Sequence, residues 1–375
     1  MTTAPPAQQH AGAAPPDRRW HLSARTVLLV VAGMAAVVLA GVIAATPVPY
    51  VVFSPGPVRD TLGTNADGQD LIVVEGTETY PTEGQLDLTT IRVAGGPLND
   101  VSVLDAVQAY LDPTRSLRPV ETVYPPEETR EEAREASAAQ MTAAQQSAAV
   151  AALSELGEDV PVSLVVNGFG GNPAAEAVLE EGDVVLGVDG TRVAGSGELI
   201  DLLQTYEPGD TVEVALQRDG EERTEAVELG AADDGAVILG VLLAPEYELP
   251  YEVAYDVGGI GGPSAGLMFS LGIYDKLTPG ALTGGAHLAG TGTMTDDGRV
   301  GPIDGIQQKM VGADGVGAAW FLAPAGNCGD VVGAVPGDLQ VTAVATLQEA
   351  VSAVEAVAAD DTADLPTCED VLAGS

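Results

Sequence analysis

The pattern of apolar and polar positions changes abruptly near the start of this 375-residue chain. Val27–Ala45 is a run of apolar or small residues, and no charged residue lies between Arg25 and Arg59. Such a run is long enough to cross the hydrocarbon core of a bilayer as one helix. We therefore predict a transmembrane helix over residues 26–46, preceded by an Ala- and Pro-rich segment, 1–25, that is expected to be disordered.

The charges that flank the apolar run predict its orientation. Arg18, Arg19 and Arg25 precede it, whereas the region beyond it is acidic. Since positive flanks favour the cytoplasmic side, we expect the N-terminus in the cytoplasm and the residues after about Thr46 outside the cell membrane. The alternative is a signal peptide cleaved near Ala45, but the run is longer than the usual apolar region of such peptides.

The next 110 or so residues alternate between short strand patterns and helical patterns. Residues 47–126 are predicted to supply scaffold strands that complete the sheet of a later domain, with a helix around Val101–Tyr110. Residues 127–159 are rich in Glu, Ala and Gln, and Glu127–Leu156 contains no Gly or Pro, which predicts a helix. Its Ala-rich face could pack against a neighbour, but we favour a solvated connecting helix.

The side chains with the greatest chemical interest lie in a Gly-rich stretch. Ser264 follows Pro263, which favours the first turn of a helix, and apolar residues recur at helical spacing after it. A helix is therefore predicted to begin at the serine. Lys309 closes the stretch, and Lys276 is the other lysine of the chain. The stretch contains three motifs, GGIGGPSAG (258–266), HLAGTGTM (287–294) and GRVGPIDGIQQK (298–309).

These motifs, in this order, resemble the proteolytic domain of the Lon peptidases, and Pro324, Asn327 and Asp330 extend the match. The resemblance implies a Ser–Lys dyad in a domain spanning residues 235–357, followed by a C-terminal tail, 358–375. A serine hydroxyl needs an adjacent base, and a lysine can act as one only when burial lowers its pKa.

The resemblance also implies a role for each residue of the site. Ser264 would be the nucleophile and Lys309 the general base, with Thr291 orienting the lysine. Backbone N–H groups from Gly262 through Pro263 to Ser264 would form the oxyanion hole. Gly261 and Thr293 depart from the acidic residues that ATP-driven Lon usually has there, which leaves the mode of substrate binding open.

Residues 160–230 resemble a PDZ domain, on the strength of 172–193 and 208–220. The resemblance implies that an extended peptide adds as a strand beside the helix Leu199–Tyr206, with the carboxylate-binding loop near Val166–Gly171. A spacer or lid that binds no free C-terminus is the alternative. Two apolar strands in 236–255 are expected to lead from this domain into the serine turn.

Two further patterns bear on the site. The sequence GGPSAG also fits the G-x-S-x-G elbow of α/β-hydrolases, but His287 is the single histidine downstream of Ser264, too near for that triad. His287 is therefore interpreted as a core or rim residue. Cys328 and Cys368 are the only cysteines, and in an extracytoplasmic region a disulfide is the favoured pairing.

Composition limits the remaining functions. A formal charge of -40 argues against nucleic acid as a partner. The chain has no Walker-type phosphate loop, so it resembles the membrane-anchored, PDZ-containing Lon-like peptidases of Gram-positive bacteria. That resemblance implies an α+β serine endopeptidase without cofactor or metal, which cleaves unfolded or exposed protein segments independently of ATP and can form homo-oligomeric rings. A catalytically silent, PDZ-bearing membrane scaffold is the alternative.

Overall fold

The computed structural model describes residues 23–65, 67–126, 128–193, 195–232 and 235–374. Residues 1–22, part of the segment expected to be disordered, and Glu127 lie outside these ranges. Helix α1 spans Ala24–Ala45, and the Ser23 hydroxyl caps it by accepting a hydrogen bond from the Thr26 N–H. Within the described ranges, α1 alone is long and apolar enough to cross a membrane, and a signal sequence has the same properties.

The region after α1 forms strands and two α-helices, and it has one small apolar cluster of its own around Val52, Val101 and Ala109. Its elements are β1 (Pro47–Val48), β2 (Tyr50–Asp60), β3 (Ile72–Glu75), β4 (Gln85–Gly95), β5 (Val101–Ser102), α2 (Val103–Leu111), β6 (Ser116–Pro119) and α3 (Arg130–Glu155). Helix α3 begins after Thr129, whose hydroxyl forms a capping box with Glu132.

The C-terminal half of α3 corrects the prediction of a solvated connecting helix. Met141, Ala144 and every residue from 148 to 153 are buried. The small alanine side chains let α3 approach the helix over Gly266–Leu277 closely. An Ala-rich face that looks only weakly apolar in sequence thus becomes a packing surface.

The middle of the chain folds into a second sheet. Its elements are β7 (Val162–Phe169), α4 (Pro173–Glu176), β8 (Val184–Val188), β9 (Thr191–Arg192), α5 (Ser196–Leu203), β10 (Thr211–Arg218), β11 (Glu221–Glu228), β12 (Gly230–Ala231), β13 (Val237–Ile238) and β14 (Val241–Tyr247). The strand order is β11-β10-β8-β7-β14, with β9 attached to β8. Alternate residues such as Leu164, Val166, Val212 and Val214 point into a core of their own.

Strand β14 corrects two predictions, the one that the strands of 236–255 lead into the serine turn and the one that places the carboxylate-binding loop near Val166–Gly171. It pairs antiparallel with β7, from Val241 opposite Phe169 to Tyr247 opposite Val162, and so belongs to this sheet. Segment 166–169 therefore lies in an inner strand, and β14 is the edge strand on that side of the sheet. The loop that leads into edge strand β14 ends in Ile238–Leu239–Gly240. It does not coincide with the segment Val166–Gly171, where the carboxylate-binding loop was predicted.

The rest of the chain returns to the first region and completes its sheet. Its elements are β15 (Glu252–Tyr255), α6 (Gly266–Leu277), β16 (His287–Gly290), β17 (Thr293–Met294), β18 (Val300–Gly301), α7 (Ile306–Val316), β19 (Trp320–Pro324), α8 (Cys328–Val331), β20 (Gln340–Val344), α9 (Leu347–Ala358) and α10 (Cys368–Gly374).

The sheet of this unit mixes strands from both sides of the β7–β14 region, in the order β20-β19-β16-β4-β2-β6. Strands β20, β19, β16 and β4 run parallel, and β2 and β6 add antiparallel partners. The mixed helix and strand content confirms the predicted α+β class. Helix α6 is buried along most of its length, and its Leu267, Phe269 and Leu271 lie in the main core.

A disulfide joins the C-terminal helix to this unit. Cys328 and Cys368 are bonded, their Cα atoms lie 4.8 Å apart, and both side chains are buried. The bond ties α10 to α8, where the sequence separation between the cysteines is 40 residues.

Replacing both cysteines with alanine is expected to lower the free energy of unfolding by about 2–4 kcal/mol, because the unfolded chain gains the freedom of an open loop. Urea unfolding of the oxidised protein measures the change. Reduced wild type is the matched control and should unfold with the double variant. Equal midpoints for oxidised wild type and variant would contradict a stabilising bond.

Candidate active site

Ser264 lies in the segment before α6, and helix α3 holds this segment in place. The Gly262 N–H donates to the Ser137 carbonyl at 2.9 Å, and Gly262 has a φ of 87°. A Cβ on Gly261 would lie 2.2 Å from the Ser137 Oγ, so only glycine fits this approach without a shift. The helix begins at Gly266 instead of at the serine, with Ala265 as its N-cap.

Thr291 directly follows strand β16 and lies beside Ser264. The Thr291 hydroxyl donates to the Ser264 carbonyl at 2.9 Å, and the Gly292 N–H donates to the same oxygen at 3.0 Å. The Gly292 carbonyl in turn accepts from the Leu267 N–H at 3.2 Å. These bonds lock the backbone of Ser264 onto the end of a central strand.

Helix α7 brings Lys309 to both hydroxyl groups. Its Nζ donates to the Ser264 Oγ at 2.6 Å and to the Thr291 Oγ1 at 2.8 Å. Thr291 therefore accepts from the lysine while it donates to the serine carbonyl, which fixes the direction of its hydroxyl. The structure thus brings together the three side chains that the sequence analysis singled out.

Burial sets the protonation of the lysine. Lys309 is 1% exposed, and this burial lowers its pKa to about 7, against the opposing effect of the Asp304 carboxylate. Asp304 is itself paired with Arg118, whose Nη1 lies 3.0 Å from its Oδ1. Near neutral pH a substantial fraction of Lys309 is neutral and able to accept a proton.

The expected oxyanion donors need a correction. The Gly262 N–H is already bonded to Ser137, and Pro263 has no N–H to offer. Among the described residues, none accepts a hydrogen bond from the Ser264 or Ala265 N–H. These two groups, at the start of α6, are the donors available to a developing oxyanion.

A cleft of about 850 Å³ opens in front of Ser264 and Lys309. One wall is α3, and another comes from β4 and from the segment around Tyr124. Glu128 and Arg134 add opposite charges to the wall. The sequence analysis missed these residues, because no motif marks 120–134 and its contact with Ser264 spans more than a hundred residues of chain.

His287 lies at the start of β16, at the end of that strand away from Thr291. Its Nε2 is 2.7 Å from the Oδ2 of Asp87, on the neighbouring strand β4. Asp87 is buried, and burial raises the pKa of its carboxyl group. The pair satisfies both side chains within the sheet, apart from the Ser264 cluster.

Two family matches agree with this arrangement of sheets. Residues 150–229 match the PDZ domain family, and residues 258–358 match the Lon protease (S16) C-terminal proteolytic domain. Together the two matches indicate a serine protease with a PDZ domain. The chain combines a PDZ domain, a Lon-type proteolytic domain and one N-terminal apolar helix, which is consistent with a membrane PDZ Lon-like peptidase.

Individual relatives match smaller parts of the chain. A probable periplasmic serine endoprotease, DegP-like, from Halomonas elongata is 36% identical over 98 residues, which is 23% of this chain and 21% of that protein. The chain thus matches about a fifth of the length of this curated relative.

Among solved structures, the PDZ domain of an SdrC-like protein from Listeria monocytogenes is 27% identical, with a TM-score of 0.20, over 21% of this chain and 85% of that one. The corresponding PDZ domain from Listeria innocua is 26% identical, with a TM-score of 0.20, over 22% of this chain and 92% of that one.

Proposed function

We propose that this protein is a membrane-anchored serine endopeptidase that cleaves unfolded or exposed protein segments outside the membrane, without ATP. Ser264 is the nucleophile and Lys309 the general base. The observation that carries the proposal is the contact of 2.6 Å between the Lys309 Nζ and the Ser264 Oγ, made by a lysine that is almost fully buried. A structural lysine gains nothing from being desolvated beside a serine hydroxyl.

The reaction follows from these contacts. The Ser264 Oγ attacks the scissile carbonyl carbon while its proton passes to the neutral Lys309 Nζ. The charged oxygen that forms is stabilised by the Ser264 and Ala265 N–H groups and by the N-terminal dipole of α6. Lys309 then returns the proton to the leaving amine. In the second half of the reaction, Lys309 takes a proton from the water molecule that attacks the acyl carbon. It gives this proton to the Ser264 Oγ as the bond between the acyl carbon and Oγ breaks and the acid product leaves.

Thr291 acts in this scheme through the lysine. Its hydroxyl is held by the Ser264 carbonyl and so presents a lone pair to the lysine Nζ. The lysine amino group is thereby aimed at the serine Oγ instead of rotating freely, which supports the role of Thr291 as an orienting residue.

The PDZ domain supplies a second place for an extended peptide. Strand β14 has a free edge, and the partly buried Val241 and Leu243 pack against the core that contains Leu199 and Leu203 of α5. A peptide added along β14 would gain backbone hydrogen bonds and apolar contacts. We assign substrate or regulatory peptides to this edge. Membrane anchoring by α1 and assembly into a ring complete the proposal.

Cleavage of a permanently unfolded, fluorescently labelled protein by the full chain in nanodiscs, without nucleotide, tests the proposal. The rate is expected to rise with pH through about 7 and then level off, because the neutral fraction of Lys309 grows as pH rises through its pKa.

The other outcomes of this assay are equally informative. A requirement for ATP would contradict the ATP-independent assignment. A rate that does not change between about pH 6 and pH 9 would contradict a lysine base with this pKa. No cleavage at any pH would favour the silent PDZ-bearing scaffold.

A further inference from the structure

Helix α2 turns apolar side chains towards solvent. Ala106 and Ala109 face the protein and pack beside Val52 and Val101. The opposite face carries Leu104, Val107 and Leu111, which are 50%, 49% and 74% exposed, and the neighbouring Tyr110 is 81% exposed. The outward face is therefore more apolar than the inward one, the reverse of what a helix on a water-exposed surface shows.

The position of α2 is tied to the end of α1. The Val103 N–H donates to the Thr46 carbonyl at 3.0 Å, directly after the last residue of α1. Strands β1 and β5 continue the link, with Pro47 opposite Ser102 and Val48 opposite Val101. Short backbone hydrogen bonds of this kind leave α2 no freedom to move away from the C-terminal end of α1.

The length of α1 sets the level of α2 in a bilayer. The 22 residues of α1 span about 33 Å, which matches a hydrocarbon core of about 30 Å. When α1 crosses the membrane, Thr46 lies at the outer boundary of the hydrocarbon region. Because α2 begins one hydrogen bond away, its first turn lies at the same level.

We propose that α2 is an interfacial helix that lies on the outer surface of the bilayer, with Leu104, Val107 and Leu111 at the acyl boundary. Tyr110 sits at the headgroup level, where aromatic side chains are favoured. The inference rests on the proposed anchoring by α1. It adds a second, peripheral contact that holds the folded part of the chain in one orientation relative to the membrane.

The charges near α2 indicate that the attraction is apolar. Asp105 is held in the capping box with Ser102, and Asp112 pairs with Arg115 at 3.1 Å. No excess of positive charge is therefore offered to anionic lipid, and the chain as a whole carries -40. Contact with the bilayer should accordingly be insensitive to salt and should not require anionic lipid.

A second copy of the chain fits this face less well. A stable protein interface buries about 800 Å² on each partner. Helix α2 has nine residues and is about 14 Å long, and its exposed apolar face consists of four side chains. A patch of this size suits partial insertion into lipid, which needs no complementary shape.

Depth-resolved fluorescence quenching tests the inference on the full chain. The native cysteines are bonded to each other, so one introduced cysteine can be labelled selectively with an environment-sensitive dye. Leu111→Cys reports on α2, Val38→Cys on α1, and Ile200→Cys on the PDZ domain, and all three positions are exposed. The proteins are placed in nanodiscs of zwitterionic lipid that contain spin labels at shallow or deep acyl positions.

The dye at position 111 is expected to emit at shorter wavelength than the dye at position 200, and to be quenched at least twofold more by shallow than by deep labels. The dye at position 38 should be quenched most by deep labels. These results should persist in about 1 M salt.

Each failure has its own signature. If the dye at 38 is quenched but the dye at 111 behaves like the dye at 200, the inference is wrong and anchoring by α1 stands. If the dye at 38 is not quenched, anchoring itself is wrong, and the inference falls with it. If the emission at 111 shifts only as protein concentration rises, with no quenching by lipid, a second copy covers α2 and the inference is overturned.

Discussion

Ser264→Ala is expected to lower kcat by about 10⁴-fold or more, as removal of a nucleophile does in other serine peptidases. The Ser264 Oγ is the atom that forms the acyl-enzyme, and the other hydroxyl beside Lys309, that of Thr291, is held by the Ser264 carbonyl. Folding should change little, because the serine side chain is only partly buried and the lysine keeps its bond to Thr291. Single-turnover cleavage of the unfolded reporter measures the loss, and urea unfolding checks the fold.

A serine in α6, the helix that follows Ser264, provides the matched control. Ser270 is fully buried, and its hydroxyl donates to the Gly266 carbonyl within α6. Ser270→Ala should retain most of the activity while losing about 1 kcal/mol of stability. Equal activity of Ser264→Ala and wild type would mean that another residue is the nucleophile.

Lys309→Met is expected to abolish cleavage and yet make the protein more stable at pH 7. Burial lowers the pKa of Lys309 to about 7 in the folded state. An unfolded lysine has a pKa of about 10.4 and so binds more protons than the folded one between these values. Wild-type stability should therefore rise as pH increases from about 7 to about 10. Methionine fills a similar volume without a proton to lose.

The expected gain at pH 7 is about 2–4 kcal/mol, after allowing for the lost hydrogen bonds to Ser264 and Thr291. Urea unfolding of both proteins at several pH values measures it, and the two stability curves should approach each other near pH 10. Lys276→Met is the matched control. Lys276 pairs with Asp70 at 2.8 Å, so its replacement should lower stability at pH 7 and preserve activity. Loss of stability in Lys309→Met at pH 7 would show that the lysine is held charged, which contradicts a general base.

That Ser264, Thr291 and Lys309 lie together could be predicted from the sequence because each belongs to a local motif. Ser264 lies just before α6, Thr291 directly follows β16, and Lys309 is in α7, and the fold brings these positions together. The sequence could not show that the Gly262 N–H is already hydrogen-bonded and so is not available as an oxyanion donor. Its partner, Ser137, belongs to a helix that precedes the PDZ domain, and nothing in the sequence pairs the two.

Strand β14 shows the same limit at the level of domains. The apolar pattern of 236–255 predicts strands correctly, but a period of two cannot say which sheet a strand joins. Helix α3 was misjudged for a related reason, since alanine contributes little to an apolar pattern yet packs closely against a buried helix.

The sheet that contains β4 and β16 also determines when the proposed site can form during synthesis. Its neighbouring strands β4 and β16 come from opposite sides of the PDZ domain, and His287 and Asp87, paired across them, are 200 residues apart. Lys309, the inner strand β19 and the edge strand β20 come later still. A chain emerging from its N-terminus thus presents Ser264 before any base is in place. Under the proposed mechanism, Ser264 therefore lacks its base until Lys309 and the strands around it have been made.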